Sequence, residues 1–170
     1  EASFGKKKYA RGAGDELYRR SLYTFWRRIA SPTMFFDNSD RMTCSVKAYR
    51  TNTPLHALTT LNGVTFVEAA RLLATTTISA DNAAARTDAE RLDFIFERIV
   101  ARHPDRDEQE VLLAGLNRTR KQYRENQRAA TAFVSMGETP PAGGMDIPEL
   151  ASWTSLCLAV FNLDEALSRQ

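Results

Sequence analysis

Leu92, Ile95, Phe96, Ile99 and Val100 fall at i, i+3, i+4, i+7 and i+8, a spacing that a helix gathers on one side and a strand scatters over two. Arg91, Glu97, Arg98 and Arg102 flank that side, so the segment reads as a helix with a single buried stripe that ends before Pro104. Similar punctuation recurs along the chain. Thr53 is a plausible N-cap, Pro54 a first helical residue, and Asn62-Gly63 an end. Thr65 with Glu68, and later Thr87 with Glu90, have capping-box spacing. The first of these opens a helix whose inner face is predicted to be Phe66, Ala69, Ala70, Leu73 and Thr77. Asp107 with Glu110 opens another, aligning Leu112, Leu116, Thr119 and Tyr123, and an Ala-rich turn through Phe133 stops at Gly137. After a loop over 138–146, Asp146 and Pro148 start a last helix with the stripe Leu150, Trp153, Cys157, Val160 and Phe161.

The fold class that follows is all-α, one helical domain of about five to seven helices. Residues 53–170 form the bundle, and residues 1–52 form a basic N-terminal helix and an irregular loop packed on it. At 43% hydrophobic and 26% charged residues, the composition is that of a globular protein rather than a disordered one. No apolar run approaches the roughly 18 residues of a membrane span. The first residues carry neither an initiator Met nor a signal-peptide pattern, so the chain reads as beginning within a longer protein. Charge is uneven. Residues 1–50 hold eleven Lys/Arg against five Asp/Glu, or +6, and the other 120 hold twelve against sixteen, or −4. The arm therefore either meets a polyanion or lies on its own acidic helices.

Phosphate loops, dinucleotide fingerprints, nucleophile elbows and HExxH pairs are all missing from the sequence. His56 and His103 have no second His or Cys at ligand spacing, which argues against a transition-metal site. Cys44 and Cys157 have no zinc spacing; Cys157 reads as a small core residue, and a disulfide between the two is open if the protein is exported. Asp37, Asn38, Ser39 and Asp40 supply the hard oxygens of a calcium site, although Asx-turns account for the same composition. Extending the last helix carries Asp164 back onto the apolar stripe. There it is a buried acid with a raised pKa, the partner of an arm arginine, or proof that the helix ends at Asn162. Arg19-Arg20, Arg27-Arg28, Arg41, Lys47 and Arg50, interleaved with Tyr18, Tyr23, Trp26 and Tyr49, suit phosphate or sulfate esters, or internal ion pairs. A pI near 8.7 argues against nucleic acid.

The stretch RRSLYTFWRR, followed by PTMFFDNSDRMTCSVKAYRTNTPLHALTTLNGVTFVEAARLLA, resembles a planctomycete-specific family of C-terminal domains of unknown function. FIFERIVARHPDRDEQE and ELASWTSLCLAVFNLDEAL extend the likeness over nearly the whole chain. Matching positions include Asp37, Asp40, Arg41, Cys44, Arg50, Asn52, Thr53, Asn62, Glu68 and Trp153, while His56 stands where the family usually has Gln and Gly63 where Asp is common. The resemblance implies a module in a large exported protein with a cytochrome c-like domain upstream. Haem c would belong to that domain, because this chain contains no CxxCH. Its partners would be the upstream domains of the same polypeptide and, in a second reading, an anionic polysaccharide.

Three functions are thus in view. The first is a non-catalytic interaction module of a haem-associated or glycan-processing protein, with residues 33–53 as its docking face; it predicts an apolar patch on the isolated chain. The second is part of a hydrolytic or redox site in which Asp37, Asp40, Arg41, Arg50 and Asp164 converge on an anionic or sulfated glycan. The third is a glycan- or polyanion-binding module built on the arginines and Trp26.

Overall fold

The structure, a computed structural model, describes Gly14, residues 54–79 and residues 87–167. Among the described residues there are seven helices and no strand: α1 (Pro54–Asn62), α2 (Val64–Ile78), α3 (Asp88–Val100), α4 (Arg106–Glu125), α5 (Gln127–Val134), α6 (Ile147–Phe161) and α7 (Asp164–Leu167). The all-α expectation holds.

Helix α6 is the centre of the core. Leu150, Ala151, Trp153, Cys157 and Val160 are fully buried, and Ser152, Thr154, Leu156 and Leu158 nearly or fully so. A helix buried over most of its surface must be covered on several sides, and α2, α4 and α5 do most of that covering, with α1, α3 and α7 at its margins. Each large side chain so buried contributes roughly 1.5–3 kcal/mol. The hydroxyls of Ser152 and Thr154 donate to the carbonyls of Pro148 and Leu150, both at 2.7 Å, so the two polar residues enter the core with their hydrogen bonds made.

The stripe of α3 faces inward as its spacing requires, with Leu92, Ile95 and Phe96 fully buried. Its capping box is present: Thr87 Oγ1 accepts from Glu90 N at 3.2 Å, and Glu90 Oε2 accepts from Thr87 N at 2.7 Å. The helix stops at Ala101, which takes a left-handed φ of 57°. Three predicted details differ. The box that opens α4 is Asp105 with Glu108, two residues before Asp107 and Glu110, because Asp105 follows Pro104 directly and keeps an extended backbone. No capping box opens α2; that helix begins at Val64 behind Gly63, and Glu68 is turned to another purpose. The buried face of α2 is Val67, Glu68, Ala70, Arg71, Ala74 and Thr77, while Ala69 points outward. Of the predicted inner face, Ala70 and Thr77 are buried and Phe66 and Leu73 pack against the core, so apolar spacing erred at Ala69 and missed the two charged residues, Glu68 and Arg71.

Gly63 joins α1 to α2 too tightly for any side chain, since a Cβ there would lie 2.7 Å from the Thr59 carbonyl oxygen. Helix α6 ends at Phe161 with Asn162 as its C-cap. Asp164 therefore starts α7 on the surface and never reaches the apolar stripe. Cys157 is a free, fully buried thiol whose pKa burial pushes well above the usual range.

Candidate functional site

Helix α1 is packed with its polar side in. His56 and Thr60 are 5% and 1% exposed, whereas Leu55, Leu58 and Leu61 are 51%, 59% and 45% exposed, and Val64 just beyond is 47% exposed. At 100° per residue the leucines span an arc centred about 180° from the arc of His56 and Thr60. A polar bond favours this orientation: Thr60 Oγ1 donates to Asn162 Oδ1 at 2.5 Å, tying α1 to the C-cap of α6. Asn162 Nδ2 in turn donates to the Leu158 carbonyl at 3.0 Å. Rotating α1 to bury its leucines would break this bond, a net cost of about 0.5–1.5 kcal/mol, although Thr60 Oγ1 also has the His56 and Ala57 carbonyls at 3.0 and 3.1 Å within its own helix. Exposed apolar side chains gathered on one helix face are a feature that any reading of function has to account for.

A second constellation joins α2 to the loop before α6. Glu68 Oε1 accepts from Thr139 N at 2.7 Å and Oε2 from Glu138 N at 3.2 Å. Arg71, fully buried, donates through NH2 to the Thr139 carbonyl at 2.6 Å and through NH1 to the Pro140 carbonyl at 3.4 Å. Its NH2 lies 3.7 Å from Glu68 Oε1. One Glu–Arg pair at i, i+3 thereby grips both polar groups of Thr139, and Gly137, at φ +108°, lets the loop approach. A Cβ at Gly137 would sit 2.7 Å from the Glu68 carboxyl carbon. Arg71 Nε has no hydrogen-bond partner among the described residues.

The third constellation surrounds Trp153, whose indole is fully buried. Its Nε1 donates to Glu149 Oε1 at 2.8 Å, and the guanidiniums of Arg120 and Arg91 stand 5.7 and 6.0 Å from its ring centre. Arg120 bridges Glu149 and Asp88, donating through Nε to Glu149 Oε2 at 2.9 Å and through NH2 to Asp88 Oδ1 at 3.0 Å. Hydrogen bonding to Arg120 holds the Asp88 carboxyl below its ordinary value. For Glu149, burial pushes upward, but the bonds from Arg120 and Trp153 outweigh it and the net shift is also downward. Below α3, Arg102 donates to Glu108 through NH1 and NH2, both at 2.7 Å, and to Glu165 through Nε at 3.0 Å. The Arg102 bonds, together with the Asp105 backbone N–H, lower Glu108 to about 2.

Asp37, Asn38, Asp40, Arg41, Cys44, Arg50, Asn52 and Thr53 lie outside the described residues. Of the remaining predicted positions, Glu68 grips the 137–140 loop and Trp153 sits in the Arg120 network. Asn62 closes α1 with its Nδ2 donating to the Leu58 carbonyl at 2.8 Å, and Asp164 lies on the surface. Glu68 and Trp153 thus serve separate networks rather than one cluster. Arg71, Asp88, Arg120 and Glu149 were missed by sequence reasoning. The signals available were the i, i+3 pairings of Glu68 with Arg71 and Asp88 with Arg91; nothing local joins Arg120 to residues about 30 positions away on either side. Among the described residues no group of three or more His, Cys, Asp or Glu is placed to hold a metal ion, and no helix is long and apolar enough to cross a membrane.

No curated protein and no solved structure matches the chain. A family model described as "PSD1: Protein of unknown function (DUF1553)" matches residues 2–116, from near the start of the chain into α4. That match spans more than half of the 170 residues, and the chain belongs to the DUF1553 family.

Proposed function

We propose that this chain is a non-catalytic helical interaction module that docks polypeptide on the outward leucine face of α1. The observation that carries the reading is the inversion of α1, with His56 and Thr60 inside and Leu55, Leu58 and Leu61 outside. The Thr60–Asn162 bond, which favours this orientation of α1, supports the reading. The charged networks support the same reading. Asp88, Glu149 and Glu108 are shifted toward the ionised form by arginines, away from the near-neutral pKa that general acid–base chemistry favours. The wider setting belongs to the same proposal: an exported, multidomain protein, haem-associated or glycan-processing, in which this module packs against the domains upstream.

Carbene footprinting of the 170-residue chain over a range of concentrations tests the docking face, with Val111, 67% exposed, as the reference for bare surface. An occupied face labels less than Val111. A face awaiting a partner labels fully but binds an apolar dye or drives self-association, and Leu55→Asp with Leu58→Asp abolishes both. Full labelling at every concentration, with no dye binding and no self-association, would make α1 ordinary surface and end the reading.

A further inference from the structure

We infer that the outer face of α4 is a self-complementary surface that pairs antiparallel with α4 of a second copy of this chain. The inner side of the helix is given to Leu112, Leu116 and Tyr123, which pack on the core. On the opposite side Asp107, Val111, Ala114, Arg118, Lys121 and Glu125 recur at steps of four, three, four, three and four, the spacing by which one helix presents a seam to another, and all six are exposed. Val111, at 67%, is the most exposed of the large apolar side chains on the described helices. The charges of this face are sorted along it. Asp107 and Glu110 come seven and four residues before Ala114, and Arg118 and Lys121 come four and seven residues after it. A two-fold axis at Ala114 therefore sets Asp107 of each copy against Lys121 of the other, and Glu110 against Arg118, at about 10 and 6 Å along the helix from the axis.

The needs of the chain's own fold do not account for this arrangement. Asp107, Glu110, Arg118 and Lys121 enter none of the ion pairs among the described residues, and the two acids stand at least eight residues from the two bases, beyond the i, i+4 reach within a helix. The helix dipole favours sorted charge only in the terminal turns, which hold Asp107, Glu108 and Arg124 and leave out Glu110, Arg118 and Lys121. Gly115, beside the axis, points the same way. A glycine in mid-helix weakens the helix relative to alanine, yet a Cβ at this position would meet nothing in the chain itself. With Ala114 it leaves room for a second backbone to come close. The outer face carries no aromatic side chain and a single large apolar one, so it suits neither stacking on bases nor insertion into a bilayer, whereas a second α4 supplies both signs of charge at the matching spacing. One helix pair hides less than the roughly 800 Å² per partner of a lasting interface, so the dimer is transient and sensitive to salt.

Sedimentation equilibrium of the full 170-residue chain, between about 1 µM and 1 mM protein, tests the pairing. A dimer is expected that weakens at least about tenfold between roughly 0.02 and 0.5 M salt. Leu55→Asp with Leu58→Asp should leave it unchanged, which separates it from association through α1. Glu110→Arg is expected to weaken the dimer at least about tenfold with the helical spectrum unchanged, because it sets two arginines against each other across the axis. Adding Arg118→Glu to that variant exchanges the two charges, keeps the net charge of the wild type and should restore the dimer. Val111 reports the same event by carbene labelling: it stays bare at the dilute end, where it serves as the reference for α1, and labels less as the dimer forms. A dimer that Glu110→Arg leaves intact, or that the double variant fails to restore, would overturn the inference by placing the contact elsewhere. A wild type that stays monomeric throughout at low salt would also overturn it, and retention on sulfated dextran that Arg118→Glu abolishes would then assign the basic end of α4 to a polyanion.

Discussion

Trp153 donates its indole N–H to Glu149, one turn earlier on the same helix, at 2.8 Å, and the two together receive Arg120 from α4. Glu149 is thereby shared between a neutral donor and a cation, and Arg120 between two carboxylates on different helices. Arg120→Met is expected to lower stability by about 3 kcal/mol, because it leaves Asp88 and Glu149 facing each other without a counter-charge at a partly buried site. Arg120→Lys should recover only a fraction, since one ammonium cannot bond Asp88 and Glu149 in the forked geometry of a guanidinium. Urea unfolding of both variants checks the order. Equal stability of wild type and Arg120→Met would show that the network is neutral.

Acid should weaken the fold through Glu108. Its carboxyl titrates at about 2 in the folded protein against an ordinary 4.5, so the unfolded chain takes up this proton first as pH falls. The stabilisation from the Arg102–Glu108 pair is therefore complete above about 4.5 and is lost as pH drops toward about 2. Asp88 and Glu149, also lowered, act in the same direction. Glu108→Gln should flatten the slope of unfolding free energy against pH in that window while leaving the slope near neutrality unchanged.

The grip of α2 on the 137–140 loop predicts a steep response to a single methyl group. Gly137→Ala requires both a left-handed backbone and a Cβ inside contact distance of Glu68, so a loss of about 2–3 kcal/mol is expected. Hydrogen exchange at Glu138 and Thr139 should accelerate most, because their N–H groups are bonded to the displaced carboxylate. Glu68→Gln keeps the size and one acceptor, and should cost less than Gly137→Ala. The reverse order would show that the loop is held by something other than Glu68.

Cys157 should react with thiol reagents only when the protein unfolds. Full burial and a thiol pKa pushed upward leave almost no accessible thiolate in the native state. Peptide mapping after timed labelling should give a Cys157 rate that follows the global unfolding rate across urea concentrations. Faster labelling in the native baseline would reveal local opening of α6.

Periodicity made α3 and α6 legible because the large residues of their inner faces are apolar, so Leu92, Ile95, Phe96, Leu150, Trp153 and Val160 announce themselves. It offered no inner face for α1, and on α2 it found Phe66, Ala70, Leu73 and Thr77 but missed Glu68 and Arg71, because polar and charged residues take inner positions in both helices. Glu68 and Arg71 are inside, where they hold a distant loop, and Thr60 on the inner side of α1 bonds Asn162 opposite the leucines. Both arrangements depend on partners 68 to 102 residues away, which no local window contains. The sequence grouped Glu68 and Trp153 in one candidate cluster, whereas the structure places them in separate networks.

The central place of α6 has a consequence for synthesis. Helices α1 to α5 are made before it, and α2, α4 and α5 each need it to close their apolar sides. A nascent chain therefore emerges with a set of half-covered helices and cannot complete its core until residues 147–161 have left the ribosome. Folding is in this sense deferred, and a chaperone that holds the unfinished bundle would have its longest hold on the stretch from α2 to α5.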